Sequence, residues 1–431
     1  MVLRLSSPAS RGVIVLLALG LASAVSYSSI RNARAEHLAG LGTLKGFERA
    51  TRLEPGNARN LYLLGRYLQY SFEETDTPRA IEAYKNSLSF NPRSADTWLD
   101  LGAAYESEGN LIAARSSFLE AQRVYPLSAE VRWRYGNFLL RQNELDRAFV
   151  EIRRAVEVDP KRAAEAFSRS IRVDPDINAV LDRALPPSRD VYLSVVSDLS
   201  AAARTDQALT VWFRLAALGP RLPLPASFPL VDALIGKGQF RDARRVWDQA
   251  VGFAGLSPSP VEPRSLLWDG GFESGVAGGG FAWRYPQSSS SVLIALDSQE
   301  KHSGNRSLRL IFNGTQNVSF GDLCQYVDVT PGARYLFSAW VRTRALSTDQ
   351  GLRFALHSVG DSAAPVVWTD DLRGTAPWTR VELPWTAGRN VQALLLCVSR
   401  LASAKFDSMI QGTAWVDDIS LVPQTAESPK P

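Results

Sequence analysis

The apolar residues of the first half of the chain recur at helical spacing, with short polar turns between successive helices. The most regular stretch combines large and small residues at fixed intervals: Trp98, Leu101, Gly102, Tyr105, Ala114, Phe118, Ala121 and Pro126. Because intervals of three and four residues return to the same side of a helix, this stretch predicts two helices that pack together. Gly102 and Ala114 are small where the two helices approach each other, and Pro126 follows a helix that it could not continue.

The same spacing returns before and after this stretch, which indicates an internal repeat. One repeat earlier it falls on Leu61, Leu64, Gly65, Leu68, Ala80, Tyr84 and Pro92, and one repeat later on Tyr135, Gly136, Leu139, Ala148, Ile152, Ala155 and Pro160. Remnants of a second helix are predicted around Phe47 and around Phe167, the latter with its first helix missing. Two weaker repeats follow, at 192–220 and 230–250.

These residues and intervals resemble the tetratricopeptide repeat, whose pattern is W-x2-L-G-x2-Y…A-x3-F…A…P over about 34 residues. The resemblance implies an all-α solenoid over residues 35–255, whose stacked hairpins line a concave groove. The family usually holds other molecules, so we expect a protein partner in the groove. The fold does not determine which partner that is.

Two sets of side chains recur every four residues on the first helices of their repeats, and the resemblance implies that this side of the helix lines the groove. They are Tyr62, Arg66 and Tyr70 in the first full repeat, and Trp133, Asn137 and Arg141 in the third. Basic residues together with aromatic rings suit an acidic peptide or an anionic glycan. The alternative is that these residues form an ordinary solvated helix face.

The helical spacing stops at residues 256–265, where three prolines and three serines predict a semi-rigid linker. Short alternating runs then follow, separated by Gly, Asn, Ser and Pro. They predict strands at 307–312, 325–329, 335–343, 352–359, 380–385, 393–399 and 414–422. Many close strands without helices between them predict an all-β sandwich or jelly roll over 266–423, followed by a disordered tail at 424–431.

Both ends of this β domain resemble carbohydrate-binding modules of the galactose-binding-like jelly-roll type. The opening Leu267-Trp-Asp-Gly-Gly-Phe-Glu273 is similar to their N-G-G-F-E motif, with Asp269 where Asn is usual, and the closing Trp415-Val-Asp-Asp-Ile-Ser-Leu421 is similar to their last strand. The resemblance implies a structural calcium ion held by Glu273, Asp417 and a backbone carbonyl near Lys301. The alternative is that Glu273 only accepts hydrogen bonds within its loop.

A glycan would stack on exposed aromatic rings, and five residues of the β domain are candidates: Trp283, Tyr285, Trp368, Trp378 and Trp385. The alternative for each is a place in the hydrophobic core. The alternation around Trp340 does not show which face of its strand meets water.

Cys324 and Cys397 both lie in predicted strands and could form one disulfide in an exported protein. We expect two separate buried thiols instead, since nothing in the sequence shows that the two strands are neighbours.

Residues 1–34 contain an apolar run, Gly12 to Ile30, behind Arg4 and Arg11. The run is either a signal peptide cut after Ala22-Ser-Ala24 or a retained signal anchor. We favour the anchor, because the helical repeats begin almost at once after it. In both cases the body of the protein is expected outside the cytoplasm, on the inner membrane if the anchor is retained.

Composition and motifs argue against nucleic-acid binding and against catalysis. The chain has 48 Lys and Arg against 44 Asp and Glu, without a basic block. The three histidines fall in no metal or nucleophile motif. Adjacent carboxylates such as Asp417 and Asp418 should point to opposite faces of a strand and could not flank one bond. We therefore expect a non-catalytic scaffold, accessory to bacterial exopolysaccharide or envelope glycan assembly. The alternative is a structural assembly factor of an envelope complex that binds no sugar.

Overall fold

The fold is that of a computed structural model, which describes residues 8–72, 75–219, 221–256, 261–275, 277–285, 291–361 and 363–424. The first seven residues, residues 257–260 of the predicted linker and nearly all of the predicted tail therefore lie outside the described residues. The chain divides into two compact units, Met1–Pro186 and Pro187–Pro431.

The first unit consists of helices. They are α1 Pro8–Gly40, α2 Leu44–Leu53, α3 Ala58–Tyr70, α4 Thr77–Phe90, α5 Ala95–Ser107, α6 Leu111–Val124, α7 Ala129–Arg141, α8 Leu145–Val158, α9 Ala163–Ser170 and α10 Ile177–Ala184. Side chains of Asn57, Ser94 and Ser128 accept hydrogen bonds from the first turns of α3, α5 and α7, which fixes where each repeat begins.

The helices of each hairpin approach most closely at the predicted glycines. A Cβ atom at Gly102 would lie 3.1 Å from the Phe118 ring, and one at Gly65 would lie 2.6 Å from the Tyr84 ring. The large residue of the second helix therefore occupies the space that a side chain on the first helix would need. This confirms the pairing of helices that the repeat spacing predicts.

Helix α1 has two parts with different surroundings. Its first part is apolar and exposed, and the stretch Arg11–Gly40 is long and apolar enough to cross a membrane. Its last part packs on α2, where Ala35 is fully buried and the Asn32 side chain donates to the carboxylate of Glu54. The second-helix remnant predicted around Phe47 is thus α2, and its first helix is the end of α1.

The repeat predicted around Phe167 is organised differently from the expectation. Arg169 on α9 contacts Trp133 and Asn137 on α7, and Arg183 on α10 contacts Asp146 on α8. Since α9 stacks on a first helix and α10 on a second, α9 is a shortened first helix. The prediction that a first helix is missing here was wrong, because α9 has only eight residues and carries little of the pattern.

The second unit begins with four more helices and continues with strands. The helices are α11 Arg189–Ala201, α12 Thr205–Ala217, α13 Phe228–Gly236 and α14 Phe240–Ala254. The strands are β1 Val292–Asp297, β2 Ser307–Asn313, β3 Phe320–Asp328, β4 Arg334–Leu346, β5 Arg353–Val359, β6 Val367–Trp368, β7 Gly374–Thr386, β8 Ala393–Arg400 and β9 Gln411–Pro423. All pairings are antiparallel, in one sheet of order β1-β2-β9-β4-β7 and another of order β3-β8-β5-β6.

The two sheets enclose one hydrophobic core, which includes Phe272, Phe337, Phe354, Leu394 and Val416. The all-α solenoid followed by an all-β jelly-roll sandwich is as predicted. Cys324 and Cys397 lie directly opposite each other on β3 and β8 and form a disulfide. The expectation of two separate thiols was wrong, because strand pairing across 73 residues of sequence cannot be seen from local spacing.

Helices α13 and α14 pack on the start of the β domain. The Trp247 ring on α14 lies edge-on to Trp268 and Phe281, with ring centroids 5.2 and 5.9 Å away. The change from helices to strands follows residue 254, but the compact units divide earlier, after Pro186. The last helical hairpin is thus structurally part of the β-bearing unit.

Candidate functional site

The first predicted groove set gathers around Asp100 of α5. Tyr62 donates its hydroxyl to this carboxylate at 3.0 Å, Arg134 of α7 donates at 2.8 Å, and Arg66 lies 3.7 Å away. The Arg66 guanidinium also covers the rings of Tyr62 and Tyr70. Burial and the Asp100 carboxylate raise the pKa of Tyr62, so its hydroxyl remains a donor. We call Tyr62, Arg66, Asp100 and Arg134 the Asp100 cluster.

The second predicted set lies partly below the surface. Trp133 and Asn137 are buried, because Arg162 and Arg169 lie over the Trp133 ring and Arg169 donates to the Asn137 carboxamide. Arg141 is half-exposed and makes two hydrogen bonds to Glu106 of the preceding first helix. Trp133 and Asn137 therefore cannot meet a partner directly, and Arg169 covers the place predicted for them.

The structure thus brings each predicted set together, and adds residues that the sequence argument missed. Asp100 and Arg134 occupy the same position in successive repeats and carry opposite charges. Glu106 and Arg141 also carry opposite charges, at positions that differ by one between the two repeats. Opposite charges one repeat apart are the signal that could have identified them. Of the predicted groove residues, Arg66, Tyr70 and Arg141 are accessible, each about half-exposed.

In the β domain, the outer face of the four-stranded sheet carries two rows of residues. Tyr326, Leu395 and His357 are direct partners across β3, β8 and β5, and the Cys324–Cys397 disulfide, Ala355 and Trp368 form the next row up to β6. Direct partners share one face of a sheet, and three strand spacings amount to about 14 Å. The face therefore has aromatic rings at both edges, and between them the disulfide and Ala355 are buried, with Val366 and Leu395 packed against them. We call it the sheet platform.

Two groups of the sheet platform can engage a ligand. Trp368 is 36% exposed, and its ring lies edge-on to His357 with centroids 6.3 Å apart. Burial lowers the pKa of His357, so its imidazole is neutral at pH 7 and offers one hydrogen-bond donor and one acceptor. Tyr326 is half-buried under the Arg284 guanidinium. His357 and Tyr326 were not predicted as site residues.

The other aromatic candidates lie elsewhere. Trp283 and Trp385 are buried in the core, and the Trp283 indole donates to the Asp269 carbonyl, so the prediction of exposed rings was wrong for both. Tyr285 is half-buried against the same core. Trp378 is half-exposed beside His302 and Trp340 on the five-stranded sheet, on the opposite side of the sandwich from Trp368. Trp368 and Trp378 therefore cannot form one site.

The predicted calcium ligands converge on one loop, residues 301–306. Glu273 accepts the backbone N–H groups of Asn305 and Arg306 and the side-chain amide of Asn305. Asp417 accepts the N–H groups of His302, Ser303 and Asp418. Lys301 places its ammonium group on the Ser298 carbonyl.

This arrangement does not fit a calcium ion as it stands, because the carboxylate oxygens face N–H groups, whereas calcium takes six to eight oxygen ligands. Within the described residues, no three His, Cys, Asp or Glu side chains group as metal ligands. The contacts instead form a hydrogen-bonded clamp that holds the 301–306 loop between the start and the end of the domain. Calcium binding stays a prediction, tested below.

The strand alternation predicts that the neighbouring carboxylates Asp417 and Asp418 point to opposite faces. The structure shows that they do not. The pairing of β4 with β9 shifts at this point and Asp418 has φ +49°, so the strand bulges. Both side chains consequently reach the same loop, where Asp418 accepts the Ser303 hydroxyl and contacts His302 Nδ1. Both are buried, which leaves no room for a substrate bond between them.

The repeat part of the chain matches a known family. Residues 72–124 and 109–163 match the tetratricopeptide repeat. The helices of this region are tetratricopeptide repeats. The predicted repeats are thereby confirmed, and the two-sheet sandwich that follows them has the predicted all-β fold. Protein bimA of Emericella nidulans is 34% identical over 86 residues, which are 20% of this chain and 10% of that protein. The chain thus spans about a tenth of the length of this relative.

Solved structures share the two folds at low similarity. YrrB, described as a tetratricopeptide repeat protein with an unusual peptide-binding site, is 16% identical and covers 49% of this chain and 94% of its own, with a TM-score of 0.26. The carbohydrate-binding module TmCBM61, solved in complex with β-1,4-galactotriose, is 18% identical and covers 38% of this chain and all of its own, with a TM-score of 0.28. A family 16 carbohydrate-binding module is 19% identical and covers 36% of this chain and 99% of its own, with a TM-score of 0.27.

Proposed function

We propose that this tetratricopeptide repeat protein is a non-catalytic scaffold, anchored in a membrane by α1, that holds a protein in its groove and a glycan on its sheet platform. Accessory work in bacterial exopolysaccharide or envelope glycan assembly is the context that would use both. The observation that carries the glycan part is the Trp368 indole, 36% exposed beside His357 at the β6 edge of the sheet platform. The Cys324–Cys397 disulfide supports a location outside the cytoplasm, because such bonds persist in oxidising compartments.

Trp368 and His357 make different contacts with the glycan. Apolar C–H faces of a sugar stack on an indole ring, and the neutral imidazole 6.3 Å away can donate to and accept from hydroxyl groups. A linear or lightly branched neutral polysaccharide suits this surface.

The glycan proposal is tested by affinity electrophoresis of the full chain in gels that contain neutral polysaccharides. Trp368→Ala and His357→Ala should each weaken retention, by about tenfold for the loss of one stacked ring. Trp378→Ala is the matched control, since this half-exposed indole lies on the other sheet. Retention that is equal in wild type and Trp368→Ala, or lost equally in the control, would refute the platform as the site.

The groove proposal is tested with a photo-crosslinking residue at Tyr70, beside the Asp100 cluster. Tyr70 is 52% exposed, and Val150 on the second helix α8 is 46% exposed and provides the control. We expect one protein of the native envelope to crosslink from position 70 and not from position 150. If this protein is captured while every glycan assay is negative, the alternative function, an assembly factor without sugar binding, is the better description.

A further inference from the structure

The solenoid has two edges of turns, and α1 leaves it from one of them. Helix α1 pairs with α2, α2 with α3, and so on, so α1 runs in the same direction as α3, α5 and α7. The apolar half of α1 therefore projects beyond the edge where each first helix begins. The hydrogen bond from Asn32 to Glu54 places Asn32 level with the turn between α2 and α3. We call this side of the solenoid the exit edge.

The distance from the apolar run to the exit edge is short. Ile30 is the last residue of the run, and Asn32 follows it by two residues of continuous helix, which is about 3 Å. The headgroup region on each side of the hydrocarbon core is about 5–8 Å thick. If the run spans a bilayer, the turn at Glu54 consequently lies at headgroup depth.

Exposed apolar and aromatic side chains continue along the exit edge. The Phe90 ring, 56% exposed, lies 3.6 Å from the position of a Cβ atom at Gly56, next to the turn that Asn32 reaches. At the next turn, Tyr125 is 61% and Leu127 is 80% exposed. Arg93 is exposed between them, and Arg31 and Arg34 follow the apolar run. Aromatic rings and arginines are typical of membrane interfaces.

The opposite edge differs in charge. Its described turns carry Asp76, Glu108 and Glu144, whereas the exit-edge turns 91–94 and 125–128 carry Arg93 as their one charged residue. Such carboxylates are repelled by anionic headgroups. Apolar residues are exposed there too, as at Phe72 and Ile112, so exposure alone does not distinguish the edges. The exit of α1 and the charge of the turns together distinguish the two edges.

We propose that the exit edge of the solenoid lies in the headgroup region of the bilayer that α1 spans, with Phe90, Tyr125 and Leu127 in contact with lipid. This inference rests on the proposed membrane anchor. It adds that the first repeats lie against the membrane instead of extending away from it.

The test uses the full chain in vesicles of phosphatidylcholine and phosphatidylglycerol. Phe90→Cys and Phe72→Cys each receive an environment-sensitive fluorophore, without reductant so that Cys324 and Cys397 stay bonded. Phe90 ends α4 and Phe72 lies in the turn before α4, so the 14 residues of this helix, about 21 Å, separate the two edges. Leu127→Cys and Ile112→Cys form a second pair, in case substitution of Phe90 disturbs its repeat.

We expect blue-shifted emission, and at least threefold stronger quenching by lipids with headgroup nitroxides, at positions 90 and 127 relative to 72 and 112. Vesicle flotation separates the two hypotheses. A chain that floats but is quenched equally at both edges would overturn the edge contact and leave the anchor. A chain that does not float would overturn both.

Discussion

Asp232 of α13 binds Arg284 of the β domain: the carboxylate accepts a hydrogen bond from the guanidinium at 2.6 Å, and the same oxygen accepts the Gly280 N–H at 2.8 Å. The Arg284 backbone in turn pairs with Cys324 on β3. One side chain on the last helical hairpin thus holds the segment that leads into the sandwich.

Removal of the Asp232–Arg284 ion pair should destabilise the β-bearing unit. Asp232→Ala should lower the free energy of unfolding by about 1–2 kcal/mol, because both partners are only partly exposed and Arg284 loses its carboxylate. Asp242→Ala, which removes an exposed ion pair on α14, should change it by less than about 0.5 kcal/mol. Denaturant unfolding followed by tryptophan fluorescence measures both. Equal effects of the two variants would contradict a special role for Asp232.

The packing of α14 on the β domain is tested at Gly280. A Cβ atom there would lie 2.5 Å from the Trp247 ring, and the residue has φ +58°. Gly280→Ala should therefore lower the melting temperature more than Gly255→Ala, which has φ +64° and nothing within 4 Å. The difference between the variants isolates the contact with Trp247. If both lower the melting temperature equally, only backbone strain matters at position 280.

The pH dependence of stability is tested at Asp417. Burial raises the pKa of Asp417 to about 6, whereas an unfolded Asp has a pKa of about 3.9. The folded chain thus binds this proton more tightly, so the contribution of Asp417 to stability is fully present below about pH 4 and is lost as the pH rises through 6. Asp417→Asn should lose less melting temperature than wild type between pH 4 and pH 7.

Asp297 provides the opposite case. Burial would raise its pKa, but the Trp415 indole and the N–H groups of Gln299 and Glu300 hold it below its usual value. Its contribution is present above about pH 4 and is lost as the pH falls through the folded pKa. Asp297→Asn should therefore lose less melting temperature than wild type on acidification. Parallel pH profiles of the Asp417 and Asp297 variants would refute both assignments.

The clamp on the 301–306 loop predicts the outcome of calcium removal. Since Glu273 and Asp417 already accept N–H groups, the melting temperature of the full chain should be the same in EDTA and in millimolar calcium. Glu273→Gln should lower the melting temperature equally in both. An ion at 100 times its Kd would add about 2.7 kcal/mol, so a calcium-dependent rise of several degrees in the wild type alone would establish the site.

Much of the fold could be predicted from the local periodicity of the sequence. The Gly102–Phe118 contact follows from one spacing, and the predicted strands fall within or near those observed. β1 and the two-residue β6 were missed, since short strands give little alternation. The disulfide, the bulge at Asp418 and the burial of Trp133 depend on which strands pair and which helices stack. Those are contacts between distant residues, which intervals of two to four positions do not reveal.

The continuity of α1 has a mechanical consequence. No glycine or proline interrupts the helix between Ile30 and Ala39, so nothing there provides a hinge between the apolar run and the first hairpin. A membrane helix tilts when the thickness of its bilayer changes. In a bilayer, α1 would act as a lever arm: its tilt would turn the first repeats by the same angle, and the direction in which the groove opens would follow the thickness of the membrane.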